Sequence, residues 1–294
     1  MFLVTGATGS LGRRIVRLLT QRDTPVRAFV RLSSNYRELE LRGSQIFVGD
    51  LQIDKDINRA VDGVKYIIST HGYPGNPFAI DYRANIELID RAKANKIEHF
   101  VYISVLGVDR ENLNDPTFKA KKEVEKYLLR SGLNYTILRP AGFANNLLPL
   151  AERFRDTRGL YLLIGNPNNR LSIVSTDDLA KIAIDSVDIA AAKNQIFPVG
   201  GPDLLKREDI PGIFGRIFKL EPTIVNAPLF VLDALRAGLG IFDSQLQDSL
   251  GTVRTLLANE FFCTSEEIAN LESVYGIEME SLESFLKRYL VKMN

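Results

Sequence analysis

The first two thirds of the chain alternate short apolar runs, rich in β-branched and aromatic residues, with segments whose apolar residues recur at helical spacing. Strands that alternate with helices require right-handed crossovers, which favour a parallel sheet covered by helices on both faces. The sequence therefore predicts a doubly wound α/β domain. The six predicted strands are FLVT (2–5), VRAFV (26–30), QIFVG (45–49), YIIST (66–70), FVYIS (100–104) and YTILR (135–139).

The chain after about residue 145 departs from this alternation. RLSIVS (170–175) and QIFPVGG (195–201) could each return to the sheet as an edge strand. The segment 202–294 is mostly of helical period, and Thr264 and Glu267 have the spacing of a capping box. We expect a smaller, mostly helical lobe on the C-terminal end of the sheet. The predicted units are a main domain, residues 1–145 with a returning segment at about 171–200, and the lobe, residues 146–170 and 201–294.

The composition excludes several classes of protein. The formal net charge is +1, so no overall field attracts nucleic acid or an anionic membrane. The single cysteine, Cys263, excludes an intramolecular disulfide and suits a reducing compartment. The chain opens on a strand and a turn rather than a targeting segment, and Asp233 and Arg236 interrupt its longest apolar run, 227–242. We expect a cytoplasmic protein, monomeric or homodimeric, without a transmembrane segment, a metal site or a nucleic-acid partner; peripheral membrane contact stays open.

The stretch TGATGSLG follows the first predicted strand directly and opens a helix near Ser10. Gly6 would permit the tight turn, Gly9 would let the backbone approach a pyrophosphate, and Gly12 would let the helix pack on the strand. The phosphate would bind at the helix N-terminus, where unpaired N–H groups favour an anion. The alternative is a glycine-rich turn without a ligand. The candidate cofactor-binding residues of this loop are Gly6, Thr8, Gly9, Ser10, Leu11 and Gly12.

The end of the second predicted strand distinguishes between two cofactors. An NAD site has Asp or Glu there to bind the ribose 2′-hydroxyl, whereas this chain has Arg31 and no carboxylate before Glu38. An arginine fork matches a 2′-phosphate, and Ser33 and Ser34 could add hydroxyl donors. We therefore predict NADP(H) as the cofactor. The alternative is a surface arginine at a strand end.

Several stretches together resemble the NmrA-like group of atypical short-chain dehydrogenases, which includes isoflavone-reductase-like enzymes and photosystem assembly factors of the Ycf39 type. The resemblance covers roughly residues 1–200, and its most specific block is SGLNYTILRP (131–140). Beyond residue 205, where substrate choice would lie, no specific resemblance is found. The matching stretches are TGATGSLG, VRAFVR, VGDL, HFVYISVLGV, KAKKEVEKYLLRSGLNYTILRP and DDLA.

The resemblance implies roles for residues at the carboxyl ends of the predicted strands. Ser104 stands where short-chain dehydrogenases have their catalytic serine. The other positions would border the cofactor: Asp50 and Leu51 the adenine, Ser69, Thr70 and His71 the crevice at the switch point, and Pro140 and Gly142 the nicotinamide.

The resemblance also assigns a role to one of four lysines in the stretch 116–128. Short-chain dehydrogenases use Tyr-x-x-x-Lys, in which the lysine binds the nicotinamide ribose and lowers the pKa of the tyrosine. Lys121 takes the lysine place and Thr117 the tyrosine place. Helical geometry separately puts Lys121 on the apolar side of the helix, where a charged ammonium is unfavourable without a partner or a ligand. A structural ion pair with Glu125 is the alternative. The remaining lysines, Lys119, Lys122 and Lys126, cluster on another side and are expected in solvent.

The threonine at this place leaves the proton donor unassigned, because a hydroxyl of Thr117 has no accessible pKa. Tyr73 and His71, in the loop after the fourth predicted strand, are candidate catalytic residues beside Lys121 and Ser104. Either could instead be an ordinary loop residue, and His99 is expected to be structural.

Three functions remain open. The first is the NADPH-dependent reduction of a small apolar or aromatic carbonyl or enone; the segment from 202 on, rich in Leu, Phe and Ile, could form an apolar substrate cleft or a plain helical core. The second is a non-catalytic NADP(H)-binding redox sensor, regulator or assembly factor that acts through a protein partner. The third, a nucleotide-sugar epimerase or dehydratase, is disfavoured because those enzymes depend on the tyrosine.

Overall fold

The computed structural model describes residues 1–72, 75–110, 115–240 and 243–290. Its strands are β1 (Phe2–Thr5), β2 (Val26–Val30), β3 (Gln45–Val48), β4 (Tyr66–Ser69), β5 (His99–Ile103), β6 (Tyr135–Pro140), β7 (Leu160–Ile164), β8 (Arg170–Leu171), β9 (Gln195–Val199), β10 (Leu205–Lys206) and β11 (Thr223–Ala227). Its helices are α1 (Ser10–Gln21), α2 (Arg37–Leu41), α3 (Asp54–Val61), α4 (Ala84–Ala94), α5 (Pro116–Arg130), α6 (Leu148–Asp156), α7 (Thr176–Asp185), α8 (Ile210–Phe218), α9 (Leu229–Gly240), α10 (Ser244–Ala258), α11 (Ser265–Tyr275) and α12 (Leu282–Leu290), and a π-helical turn, Pro77–Arg83, precedes α4.

Seven strands form one parallel sheet in the order β3-β2-β1-β4-β5-β6-β9. The chain winds outward from β1 to β3 and then returns to start the other half at β4, so the switch point lies between β1 and β4. In open sheets of this kind, ligands bind outside the carboxyl ends of the strands at the switch point. The predicted doubly wound α/β fold is confirmed.

The six predicted strands are all present; two match the prediction at both ends, and four differ from it by one residue at one or both ends. QIFPVGG also returns to the sheet, as β9 beside β6. Its Pro198 lacks an N–H group, and an edge strand tolerates that loss. The sequence pattern is most reliable for the central strands, such as β1 and β5, which are buried along their whole length, so that apolar character and β-propensity agree.

The expectation that RLSIVS returns to the main sheet is wrong. Only Arg170 and Leu171 of this segment form a strand, β8, which pairs antiparallel with β10 in a separate ladder. Farther along, the N–H of Ser172 donates to the carbonyl of Phe261, and the N–H of Val174 donates to the carbonyl of Gly142. The backbone of this segment therefore joins the loop after β6 to the chain before α11.

Helices cover both faces of the main sheet. Ile15 of α1 and Leu179 of α7 are buried in the core on one face, and Leu88 of α4 and Val124 of α5 are buried on the other. The predicted capping box starts α11, where the Thr264 N–H donates to Glu267 Oε2 at 2.7 Å and the Glu267 N–H donates to Thr264 Oγ1 at 3.2 Å.

A third core lies in the chain after β6. It joins α6, α8 and α12, where the rings of Phe154 and Phe214 meet with centroids 5.7 Å apart. A parallel pair, β7 and β11, belongs to the same region. Helix α11, in contrast, packs against the main sheet, since Tyr275 meets Phe197 of β9 edge-on at 5.6 Å. The assignment of residue ranges to two units stays a prediction.

Among the described helices, none combines the length and the apolar character needed to span a bilayer.

Replacing Phe154 by alanine is expected to lower the free energy of unfolding by about 3–5 kcal/mol, because the fully buried ring leaves a cavity in the third core. Phe230, on α9, is 68% exposed, and its replacement by alanine is the matched control, with an expected change within about 0.5 kcal/mol. Urea unfolding followed by circular dichroism measures both. Equal losses in the two variants would contradict the assignment of this core.

Candidate cofactor and active site

The glycine loop between β1 and α1 has the conformation that an anion site requires. Gly6 has a φ of +67°, in the left-handed region, and accepts a hydrogen bond at 2.9 Å from the N–H of Gly9. The first N–H groups of a helix have no intrahelical acceptor, and no side chain caps those of α1. These donors and the helix dipole therefore face the carboxyl edge of the sheet, where they favour a phosphate.

The loop is packed so closely that side chains at two positions would collide with backbone. A Cβ at Gly12 would lie 2.2 Å from the carbonyl oxygen of Gly6. A Cβ at Gly6 would lie 2.7 Å from Thr70 Oγ1 and 2.8 Å from the backbone nitrogen of His71. The loop therefore presses against both the first turn of α1 and the end of β4, as the motif predicts.

A cleft of about 400 Å³ opens in front of this loop and is called here the nucleotide cleft. It brings together most of the residues predicted at the carboxyl ends of β1 to β4. Ser10, Leu11 and Gly12 do not line it; the Leu11 side chain is buried in the core. The sequence did not single out Phe29, Gln52, Gly72 or Ile80. The lining residues are Gly6, Thr8, Gly9, Phe29, Arg31, Asp50, Leu51, Gln52, Thr70, His71, Gly72 and Ile80.

Arg31 lines this cleft with an exposed side chain and forms no ion pair within the described part of the chain. The first carboxylate after it, Glu38, is bound by Arg17 through two hydrogen bonds of 2.7 Å each, and by Arg42. The hydrogen bonds from Arg17 lower the pKa of Glu38 to about 2. The acid near β2 is therefore held by arginines, whereas the guanidinium of Arg31 is available to a ligand.

His71 lies beneath the cleft rather than at its mouth. Its Nδ1 is 2.7 Å from Thr5 Oγ1, and its buried Nε2 has no hydrogen-bond partner in the described part of the chain. Ser69, expected to line the crevice, is turned inward and donates to Asn85 Oδ1 at 2.6 Å. Burial, with a smaller contribution from Lys121, lowers the pKa of His71 to about 3. The imidazole is therefore neutral at pH 7.

Lys121 lies on the buried side of α5, as helical geometry predicts, and its side chain is 12% exposed. Its ammonium donates to the carbonyl oxygen of Ile103 at 3.2 Å and lies 3.5 Å from Asp81 Oδ1. The alternative ion pair with Glu125 is wrong, because Arg139 of β6 binds that carboxylate at 2.6 and 3.0 Å. Lys119 and Lys126 are exposed and Lys122 is half-buried.

Asp81, which the sequence did not single out, is fully buried on the π-helical turn. A Cβ at Gly72 would lie 2.7 Å from Asp81 Oδ1 and 3.7 Å from the Lys121 Nζ. The backbone of Gly72, which lines the nucleotide cleft, therefore passes directly against this ion pair. The pair thus lies beside the cleft rather than in a remote part of the core.

Ser104 follows β5 and is 4% exposed, and its Oγ has no hydrogen-bond partner among the described residues. The hydroxyl of Thr117 is buried and lies 3.1 Å from Thr252 Oγ1 of α10, so it is engaged by the chain itself. Tyr73 falls outside the described residues. Tyr102, on β5, contributes its ring to the site, with the centroid 5.4 Å from Lys121 Nζ.

Pro140 is buried at the end of β6, and Gly142 lines a second cleft of about 290 Å³, called here the lobe cleft. It begins where the chain leaves β6 and continues between α6 and the end of α10. Its lining residues are Ala141, Gly142, Phe143, Asn146, Leu147, Leu150, Tyr161, Arg170, Leu171, Ile173, Arg207, Ile210, Leu256, Leu257, Asn259 and Phe261.

A family model described as NAD(P)H-binding matches residues 6–189, which include the glycine loop, Arg31 and Lys121. The chain belongs to this NAD(P)H-binding family. Its cofactor is therefore a nicotinamide dinucleotide, and the resemblance to atypical short-chain dehydrogenases is confirmed.

Two relatives and one solved structure match this member of the NAD(P)H-binding family over most of its length. The photosystem II assembly factor Ycf39 of Cyanophora paradoxa is 28% identical, covering 99% of this chain and 92% of that protein. An NAD(P)H azoreductase of Xenophilus azovorans is 31% identical, covering 89% of this chain and 88% of the azoreductase. The structure of the NADPH-dependent quinone oxidoreductase QOR2 of Escherichia coli, complexed with NADPH, has a TM-score of 0.80 at 20% identity, covering 99% of this chain and 100% of that chain.

The residues present fit a nicotinamide dinucleotide. The glycine loop leaves helix donors uncapped, and the buried polar atoms that have no partner in the described part of the chain include His71 Nε2, Tyr102 Oη and Ser104 Oγ. An unpaired buried polar group destabilises a protein by about 1–3 kcal/mol, so polar groups of a bound ligand at this place would relieve that loss.

Acidification is expected to destabilise the protein through its two histidines. The pKa of His99, which bonds to Thr136 Oγ1 at 2.9 Å, is lowered to about 4, mainly by burial, and that of His71 to about 3. Both folded values lie below the unfolded value of 6.5, so only the unfolded state gains a proton as the pH falls below it. Each histidine should lower the free energy of unfolding by about 1.4 kcal/mol for each pH unit below about pH 6.

Urea unfolding of the wild type and of the His99→Gln variant at about pH 7, 6 and 5 measures this slope. The variant should lose roughly half of the slope, because only His71 then remains to bind a proton on unfolding. The ion pairs of Glu38 do not affect this range, because its pKa rises from about 2 in the folded state to 4.5 in the unfolded state and its contribution to stability is lost only below about pH 4.5. An unchanged slope in the variant would contradict the buried, neutral state of His99.

Proposed function

We propose that the protein is an NADPH-dependent oxidoreductase that reduces a small apolar or aromatic carbonyl or enone compound. The observation that carries this proposal is the ammonium of Lys121, which is held by Asp81 and by the carbonyl of Ile103, the residue before Ser104, at the carboxyl end of β5. A buried ammonium is unfavourable unless it is paired and hydrogen-bonded. Here it lies at the carboxyl edge of the sheet, where a doubly wound fold binds its cofactor, so a ligand is expected to complete its hydrogen bonds.

Arg31 supports the phosphorylated cofactor. Its guanidinium lies in the nucleotide cleft without a protein carboxylate, and a guanidinium fork matches a 2′-phosphate. Glu38, in contrast, is neutralised by Arg17 and Arg42 and is not available to accept a ribose hydroxyl. Asp50 and Leu51 would then border the adenine, and Thr70 the pyrophosphate side of the crevice.

When bound, NADPH supplies the hydride. An ammonium has three donors, and Asp81 and the Ile103 carbonyl engage two of them in Lys121, so one remains for a ribose hydroxyl. Ser104 would donate its O–H to the oxygen of the carbonyl that is reduced, which stabilises the negative charge that develops there. His71 is neutral at pH 7, which leaves Tyr73 and water as sources of the proton.

The names of two relatives support reduction as the reaction class. One is an NAD(P)H azoreductase and one is an NADPH-dependent quinone oxidoreductase. The direct test uses NADPH deuterated at one or the other C4 position, mixed with the purified protein and a panel of quinones and enones. Transfer of deuterium from one position only would support an oxidoreductase. Absence of transfer to every compound, despite NADPH binding, would contradict it.

The Arg31→Ala variant is expected to bind NADPH roughly ten- to a hundredfold more weakly and to bind NADH unchanged, because only the 2′-phosphate is lost as a partner. The matched control is Arg37→Ala, which removes the same charge from an exposed residue that does not line the cleft. Fluorescence of the reduced nicotinamide measures both titrations, and the chain contains no tryptophan to interfere. Equal weakening of NADH and NADPH binding would contradict the proposed contact.

The Lys121→Met variant should transfer hydride about a hundredfold more slowly, because the cofactor ribose loses the donor that orients it. Lys122→Met removes a neighbouring charge from the half-buried surface of the same helix and should leave the rate unchanged. Single-turnover oxidation of bound NADPH measures the rate, and urea unfolding of both variants checks that the fold is retained. Equal rates in the two variants would remove Lys121 from the proposed mechanism.

A second candidate function is a non-catalytic NADP(H)-binding assembly factor that acts through a protein partner. Thr117 favours it, because the residue in the tyrosine place is engaged by Thr252 and offers no acid. The Ycf39 relative, which covers 99% of this chain, supports it as well. The deuterium experiment distinguishes the two candidates, since an assembly factor of this kind would bind NADPH without transferring its hydride.

A further inference from the structure

The lobe cleft shares no lining residue with the nucleotide cleft. Its inner end is formed by Ala141, Gly142 and Phe143, the first residues after β6. Since β6 is the neighbour of β5, this end lies along the same edge of the sheet as Ser104 and Lys121. The cleft therefore runs from that edge toward α8 and the end of α10.

The walls of the lobe cleft are mostly apolar, and its lining contains two arginines but no carboxylate. Arg170 has its own counter-charge, because Glu260 accepts hydrogen bonds from it at 2.9 and 2.8 Å. The hydrogen bond from Arg170 also lowers the pKa of Glu260 to about 2, and the guanidinium stacks on Phe262 at 4.1 Å from the ring centroid. This first arginine is therefore satisfied within the protein.

Arg207 has no such partner in the described part of the chain. Its Nη1 donates to the carbonyl of Leu257 at 2.8 Å, and no carboxylate lies against it. Burial lowers the pKa of Arg207, and the group that most opposes this shift is Tyr161, a tyrosine of the same cleft. A guanidinium stays charged in a protein, so a half-buried cation faces this apolar cleft without a carboxylate to balance its charge.

We infer that the lobe cleft binds the compound that the protein reduces, and that Arg207 docks an anionic group of this compound, such as a carboxylate or a sulfonate. The substrate class is then an apolar organic anion whose reducible carbonyl or enone lies toward the end of β6. This inference rests on the proposed function for the identity of the occupant. Binding of the anion in the cleft is independent of that function and is tested without cofactor.

The test compares two fluorescent dyes that differ in one charged group. 8-Anilinonaphthalene-1-sulfonate carries a sulfonate, and N-phenyl-1-naphthylamine has the same rings without it. We expect the wild type to bind the sulfonate roughly ten- to a hundredfold more tightly than the neutral dye. The Arg207→Gln variant should bind the two dyes about equally, with its affinity for the neutral dye unchanged. Similar wild-type affinities for the two dyes would overturn the inference.

The matched control is Arg153→Gln, which removes an exposed arginine of α6, a helix that also lines the cleft through Leu150. It should keep the full preference for the sulfonate. An equal loss of preference in Arg153→Gln and Arg207→Gln would show that the dye senses only the overall charge, and would also overturn the inference. Retention of NADPH binding by the Arg207→Gln variant checks that it is folded.

A second measurement locates the dye even if Arg207→Gln fails to fold. The chain has no tryptophan, and Leu256, at the rim of the lobe cleft, is 40% exposed, so the Leu256→Trp variant adds a donor for energy transfer to the bound sulfonate dye. Leu41→Trp, at a 77% exposed position of α2, adds the same donor outside the cleft. Stronger transfer from position 256 supports the inference. Equal or stronger transfer from position 41 contradicts it.

The same cleft can then be examined in turnover with a neutral naphthoquinone and its carboxylated analogue. If the protein prefers the anionic dye but oxidises NADPH with neither quinone, the anion site stands and the proposed oxidoreductase function fails. If it reduces the neutral quinone at least as well as the carboxylated one, the function stands and the assigned substrate class fails.

Discussion

The ion pair between Lys121 and Asp81 organises the part of the molecule that can carry chemistry. Two charges that have lost most of their water must lie close together, and they draw α5, the π-helical turn and the backbone at Gly72 to one point. Because that point also adjoins the carboxyl end of β5, the pair connects the nucleotide cleft to the region of Ser104.

Much of this arrangement follows from the sequence because the relevant signals are local. Strand and helix periods give the doubly wound sheet, and the angular position of Lys121 on its helix separates it from Lys119 and Lys126, which are exposed, and from Lys122, which is half-buried. The glycine spacing gives the loop, and part of the reason is local: a side chain at Gly12 would meet the carbonyl oxygen of Gly6. Such features need no knowledge of how distant segments meet.

The features that the sequence did not reveal all depend on distant segments. Asp81 is forty positions from Lys121, and nothing in its neighbourhood marks it as a partner. Glu125 lies at ideal spacing for Lys121 on the same helix, yet Arg139, brought alongside by β6, offers two hydrogen bonds and takes it. Arg207 likewise becomes unusual only in the fold, where its guanidinium lines an apolar cleft and forms no ion pair in the described part of the chain. Pairings across a fold are decided by geometry that no local pattern contains.

The N-cap of α5 has a wider effect than starting a helix. Asp115 accepts hydrogen bonds from the N–H groups of Thr117 and Phe118, and also from the hydroxyls of Thr252 and Thr255 on α10. Helix α5, which carries Lys121, and helix α10, whose end lines the lobe cleft, therefore both donate hydrogen bonds to the buried carboxylate of Asp115. Movement of α10 away from α5 would break these hydrogen bonds, so they limit how far the wall of the lobe cleft can move from Lys121 and thereby restrict the size of an occupant.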